Sequence, residues 1–174
     1  LLPLLAGLPA DAVRAAAPPA DCRYELTIEG AEATALDVAI RCTAPGIRGF
    51  QLTESEGIPW IKGFRLDGRP AAGPGDDGSW VLPKPSDGPI AASYRLDLEG
   101  LAGADDSVHG AKRIGASVIT GLADWMVTPL ADRNLSIALG VAPGSAGFAT
   151  ALPMVEGAYR IDSRDLPDAG ACAR

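Results

Sequence analysis

Cys22-Arg23-Tyr24-Glu25-Leu26-Thr27-Ile28-Glu29-Gly30 and Ala35-Leu36-Asp37-Val38-Ala39-Ile40-Arg41-Cys42 decide the fold. Tyr24, Leu26 and Ile28 alternate with polar residues, as do Leu36, Val38 and Ile40. Gly30 and its neighbours lie between them, so the stretch reads as an antiparallel hairpin. Placing Ile28 opposite Leu36 sets Leu26 against Val38 and Tyr24 against Ile40, and the same register brings Cys22 to Cys42. Directly opposed residues lie about 4.5 to 5.5 Å apart, within reach of a disulfide. The pair reads as a Cys22–Cys42 bridge, which would support export. The alternative is two reduced, half-buried cysteines. Cys172, in the terminal Gly170-Ala171-Cys172-Ala173-Arg174, is left unpaired, as at a truncated boundary.

Working outward, Ile58 to Leu66 reads as a strand ending in the turn Asp67-Gly68-Arg69-Pro70, and residues 71–78 as a mobile Gly/Pro/Asp loop. Ser79 to Leu82 is a short strand stopped by Pro83 and Pro85. Ile90, Ala92, Tyr94, Leu96 and Leu98 alternate with Ser93, Arg95, Asp97 and Glu99, the pattern of a strand with one face on the core. Leu135, Ile137 and Leu139 repeat it, and Phe148 to Leu152 with Ala158 to Ile161 close the chain. A short helix is expected around Ile119 to Trp125. The expected fold is an all-β, antiparallel β-sandwich with at most one short helix. Residues 1–21 read as a residual export segment or linker, 22–168 as the sandwich, and 169–174 as a tail or boundary to a following domain.

The 174 residues suit one domain with a single substantial core. Gly 21 and Pro 15 fit many short strands joined by tight turns rather than a helical domain. A net charge of −7 disfavours nucleic acid, whose phosphates demand clustered Lys and Arg. Leu1-Leu2-Pro3-Leu4-Leu5-Ala6-Gly7-Leu8 and Ala15-Ala16-Ala17 read equally as the end of a signal peptide or as an apolar linker. No later run approaches the ~20 apolar residues of a membrane helix.

The block Gly147-Phe148-Ala149-Thr150-Ala151-Leu152-Pro153, then Gly157-Ala158-Tyr159-Arg160-Ile161-Asp162-Ser163-Arg164-Asp165-Leu166-Pro167-Asp168, resembles the close of the N-terminal β-domain of the glycyl-aminopeptidase family of zinc metallopeptidases, the PDZ-containing gluzincin type. Further points of similarity follow in order: Y-E-L-T-I at Tyr24, D-G-R-P at Asp67, S-W-V-L at Ser79 and A-S-Y-R-L-D-L at Ala92. The resemblance spans about Arg23 to Asp168. It departs after the first hairpin, where the family's W-x-P-G-x-Y is replaced by Pro45-Gly46-Ile47-Arg48-Gly49-Phe50-Gln51-Leu52. The family continues into a helical catalytic domain in which H-E-x-x-H holds zinc with two histidines and activates water with the glutamate. This chain has one histidine, His109, and stops before that motif. The resemblance therefore implies a domain that is not an enzyme by itself.

Other chemistry is sparse. His109 is the one available base for a Ser-His-Asp arrangement, and Pro143-Gly144-Ser145-Ala146-Gly147 lacks the first glycine of a nucleophile elbow. Asp76-Asp77 and Asp105-Asp106 lack the alternating ligand spacing of a calcium loop and read as solvated turns. Asn134-Leu135-Ser136 matches a glycosylation sequon inside an expected strand. His109, Arg113 and Trp125 are weak candidates for a binding surface, set against a core tryptophan and an ordinary basic turn. No catalytic residue, cofactor or metal site is assigned.

The leading expectation is a non-catalytic β-sandwich domain of an exported, periplasmic or secreted, zinc aminopeptidase-like protein. Its partner would be a catalytic peptidase domain, with which it shapes or supports a substrate cleft. The alternative is a free-standing secreted module that recognises a peptide or protein through a sheet edge or loop face; a hydrolase is a distant third. The family reading further expects an apolar contact surface near the C-terminus.

Overall fold

In a computed structural model, residues 19–104, 111–145, 147–165 and 170–173 are described. The first hairpin stands in the middle of the fold. β1 (Cys22–Glu29) and β2 (Ala35–Cys42) pair with Ile28 opposite Leu36, Leu26 opposite Val38, Tyr24 opposite Ile40 and Cys22 opposite Cys42. Cys22, Tyr24, Leu26 and Ile28 are buried, while Arg23, Glu25, Thr27 and Glu29 face outward, because successive strand side chains point to opposite faces. Cys22 and Cys42 form a disulfide.

The remaining strands are β3 (Gly49–Leu52), β4 (Ile61–Leu66), β5 (Arg69–Pro70), β6 (Ser79–Val81), β7 (Ile90–Asp97), β8 (Lys112–Ile114), β9 (Ser117–Gly121), β10 (Val127–Leu130), β11 (Ser136–Val141), β12 (Phe148–Thr150), β13 (Met154–Val155), β14 (Ala158–Asp162) and β15 (Gly170–Ala173). They form an eight-stranded sheet in the order β13-β14-β11-β1-β2-β7-β4-β5, a three-stranded sheet β10-β3-β6 and a four-stranded sheet β12-β15-β9-β8. The fold is all-β. One pair departs from the antiparallel expectation: β1 runs parallel to β11, with Cys22 beside Ile137 and Leu26 beside Val141. The long connection through the two smaller sheets makes room for this, since parallel neighbours need a crossover rather than a hairpin.

Three local readings are corrected. Ile58 does not begin a strand: Ser55–Trp60 forms a 3-10 turn with Pro59 inside it, and β4 starts at Ile61, because proline cannot donate to a sheet ladder. Among the described residues the one α-helix, α1, spans Leu98–Gly103 rather than Ile119 to Trp125. Asp97 ends β7 and caps α1, accepting from Gly100 N at 2.9 Å, while Ser117–Gly121 is strand and Leu122–Asp124 a 3-10 turn. Finally, Gly170–Ala173, expected outside the sandwich, is an interior strand whose backbone pairs with both β9 and β12. Its small residues carry no periodic signal that would reveal it.

The inner face of the large sheet packs on the three-stranded sheet. Phe64 of β4 stacks on Trp80 of β6 with ring centroids 4.1 Å apart, and Phe50 of β3 meets Phe64 edge-on at 6.2 Å. Two buried tyrosines cross the same interface: Tyr24 Oη donates to Val127 O and Tyr94 Oη to Trp125 O, each at 2.8 Å. Gly49–Leu52, the second half of the departing segment, forms β3, the middle strand of this small sheet. Gly49 is required there, since a Cβ would collide with the Trp80 carbonyl oxygen.

Asp21 ties the start of β1 to the parallel neighbour. Its carboxylate accepts from Ser136 N at 2.9 Å and from Arg133 Nη2 at 2.6 Å. The Arg133 hydrogen bond, with those from Ser136, holds its carboxyl down at about 2 against an ordinary 3.8. A carboxyl depressed in the folded state stabilises fully above its unfolded value, so this contribution is present above pH 3.8 and lost as pH falls toward 2. Asp21→Asn is expected to cost about 1–2 kcal/mol at pH 7 and only a small part of that near pH 2, where the carboxyl is half protonated. Urea unfolding at both pH values checks it, and an equal cost at each would refute the assignment.

Candidate functional site

The block that carries the family resemblance folds onto one end of the molecule. Phe148 of β12 packs edge-on against Tyr159 of β14 with centroids 5.7 Å apart, linking the four-stranded sheet to the edge of the large one. Arg160 N donates to Pro153 O at 2.9 Å, which folds the chain back at Met154–Tyr159. Between these segments lies a crevice of about 440 Å³ lined by Ile137, Leu152, Pro153, Arg160, Asp162 and Asp165, among others. Arg160 Nε is buried there without a hydrogen-bond partner among the described residues.

The four-stranded sheet beside the crevice has two unlike faces. Val118 and Thr120 of β9 are buried against the body of the domain. On the opposite face Ile119 is 42% and Ile114 57% exposed, with exposed Lys112 paired across from Ile119. Ala149 of β12 is exposed as well. Backbone register places Ala149 opposite Cys172 and Cys172 opposite Ile119, so one row runs across the sheet. Met154, on β13, is 60% exposed near the same end.

The residues singled out from sequence do not converge. Arg113 Nη1 donates to Glu32 O at 2.6 Å, tying β8 to the turn of the first hairpin. Trp125 is 1% exposed and lies in the core, so it does not contribute to a surface with Arg113. Core placement also holds for Trp80, and Trp60 packs against the core as a partly buried residue. His109 and Asp105-Asp106 lie outside the described residues. Asp77 closes a turn, accepting from Ser79 Oγ at 2.6 Å, and those Ser79 bonds hold its carboxyl below the usual range. Ser145 Oγ accepts from Ile28 N at 3.2 Å, a fastening of β1 rather than a nucleophile. Within the sequon-like triplet, Leu135 is fully buried and Asn134 Oδ1 accepts from Ser163 Oγ at 2.9 Å. Among the described residues no three His, Cys, Asp or Glu side chains are grouped to hold a metal ion. No helix there is long and apolar enough to cross a membrane.

One constellation was not anticipated. On the outward face of the large sheet, Arg95 Nη1 bonds both oxygens of Asp37, at 3.0 and 3.3 Å, and Nη2 pairs with the Glu29 carboxylate. The Arg95 hydrogen bond lowers the Glu29 carboxyl, whereas desolvation raises that of Asp37. Asp37 and Arg95 line a shallow groove of about 530 Å³ together with Glu25, Lys62 and Arg65. Its central cation is already paired, so the groove is a solvated, self-neutralised surface. The register Asp37 opposite Arg95 creates it, and only the pairing of β2 with β7 reveals that register.

No family model and no curated protein matches the sequence. Solved structures do match in shape. The crystal structure of an aminopeptidase N family protein from Idiomarina loihiensis aligns with a TM-score of 0.61 at 16% identity, over 87% of this chain and 29% of that one. An M1 zinc metallopeptidase from Deinococcus radiodurans aligns over 87% of this chain and 41% of its own, at 14% identity and a TM-score of 0.41, too low to imply shared topology. The chain therefore has the fold of one part of the Idiomarina aminopeptidase N family structure, spanning 29% of its length.

Proposed function

We propose that this chain is the N-terminal, non-catalytic β-domain of an exported zinc aminopeptidase-like protein, which supports or shapes a substrate cleft together with a catalytic domain. The observation that carries the reading is the TM-score of 0.61 against a partial span of an aminopeptidase N family structure. The motif order from Tyr24 to Asp168 supports it independently, as does the Cys22–Cys42 bridge, which suits an oxidising compartment. In this reading the body of the domain runs from residue 22 through the interior strand Gly170–Ala173.

Catalysis of the family type needs two histidines and a glutamate on one helix. The chain has one histidine, and its one α-helix among the described residues is the six-residue Leu98–Gly103. The purified chain is accordingly expected to retain no stoichiometric zinc and to hydrolyse no aminoacyl peptide. Metal analysis with an aminopeptidase assay tests this: zinc near one per chain, with activity abolished by His109→Ala, would overturn the non-catalytic role. A reading frame that closes at Arg174 would instead favour the free-standing binding module.

A further inference from the structure

The crevice beside β14 holds charges of both signs that do not satisfy one another. Arg160 Nε is buried there without a hydrogen-bond partner, and Asp162 and Asp165 line the same crevice without an ion pair to it among the described residues. Elsewhere cations are spent on carboxylates: Arg95 on Asp37 and Glu29, and Arg133 on Asp21. A buried guanidinium N–H without an acceptor is costly, so an acceptor brought by a ligand is favoured at Arg160.

Register sorts these charges into rows. Arg23 of β1, Ala138 of β11 and Arg160 of β14 lie in line on the outward side of the large sheet. Two residues along, Ser136 lies opposite Asp162, and the Ser136 hydroxyl donates to the Asp21 carboxylate at 3.0 Å. A cationic row thus runs beside an acidic one at a separation of about 7 Å, two residues of strand rise. A gap of that order can be bridged by a carboxylate and an ammonium on one carbon, with a hydrogen bond at each end. Leu152 and Pro153 add an apolar wall, and the crevice volume of about 440 Å³ falls within the range of small-ligand sites.

We propose that this crevice binds an apolar α-amino acid as its zwitterion. The carboxylate accepts from Arg160, the ammonium donates to Asp162 or Asp165, and the side chain rests on Leu152 and Pro153. Both charges are needed: a carboxylate alone faces the repulsion of Asp162 and Asp165, and an ammonium alone leaves Arg160 Nε unsatisfied. The site is built from this chain alone, so it stands or falls independently of the domain reading.

Proton–nitrogen correlation NMR of the 174-residue chain tests the site through the arginine Nε–H signals, with Arg160→Gln identifying that of Arg160. Should that variant unfold, Arg160→Lys, which keeps the charge and removes Nε, makes the same assignment. L-Leucine should shift the Arg160 signal saturably, with half-saturation on the order of 1 mM, as suits so small a ligand. N-acetyl-L-leucine, which lacks the ammonium, and L-leucinamide, which lacks the carboxylate, should each bind about tenfold more weakly. Joint Asp162→Asn and Asp165→Asn replacement should weaken L-leucine about tenfold at an unchanged thermal midpoint, without weakening N-acetyl-L-leucine. Either analogue binding as tightly as L-leucine would overturn the zwitterion, as would full binding of L-leucine by the double variant. An Arg160 signal that stays fixed at about 10 mM L-leucine would overturn the site itself.

Discussion

Replacing Cys22 and Cys42 together with alanine is expected to lower the folding free energy by about 3 kcal/mol, the chain-entropy value for a closed loop of this size. The two residues are 20 apart in sequence and both are buried. Thr43 N donates to Asp21 O at 2.9 Å, which makes the neighbouring pair hydrogen-bonded and leaves Cys22 and Cys42 at a closely spaced position between ladder bonds. The bridge also sits where four strands meet, since Cys22 registers with Ile137 on β11 and Cys42 with Ile90 on β7. Urea unfolding should show the double variant and the dithiothreitol-reduced protein shifted together, by about 1–2 M. Coincident midpoints for oxidised and reduced protein would show that the bridge contributes nothing, and non-reducing peptide maps would locate the thiols.

The strands that sequence reveals are those long enough to repeat their period against a buried face. β1, β2 and β7 each run eight residues, and Tyr24, Leu26, Val38, Ile40, Tyr94 and Leu96 fix both face and register. Periodicity says nothing of strand direction, so the parallel partnership of β1 and β11 was not legible. It is equally silent for Gly170–Ala173, where pairing is a backbone affair between two neighbours already in place. The shift of the helix to Leu98–Gly103 has a different origin. Leu98 continues the alternation of β7, but Asp97 caps the first turn and converts the next residues to helix.

Side-chain partnerships depend on tertiary neighbours far apart in the chain. Arg113 looked like a surface cation from its basic neighbours, yet it bonds a backbone carbonyl 81 residues away. Arg95 looked like one outward residue among several, and becomes the centre of a charge cluster only when β2 and β1 bring Asp37 and Glu29 beside it. Of the exposed apolar side chains Val81, Ile114, Ile119 and Met154, only Met154 belongs to the closing segment. β8 and β9 join the chain end through β15.

Tyr94→Phe is expected to destabilise the domain by about 2–4 kcal/mol, because it strands two buried backbone groups at once. Tyr94 Oη donates to Trp125 O at 2.8 Å and accepts from Val127 N at 3.2 Å, while Tyr24 Oη donates to Val127 O at 2.8 Å. The two hydroxyls thus serve backbone groups where the chain enters β10, between layers that exclude water. Tyr24→Phe strands one carbonyl and should cost roughly half as much, about 1–2 kcal/mol. Because Val127 is shared, the double variant should cost less or more than the sum, and that departure measures the coupling. Burial pushes both phenols above their ordinary 10.0. The folded state then holds protons that the unfolded chain releases, so stability should fall as pH rises past 10.0. Tyr94→Phe removes one such proton and should flatten that alkaline slope. A cost within about 0.5 kcal/mol, the range of an ordinary surface substitution, would sink the assignment of Tyr94 as the polar fastening between the sheets.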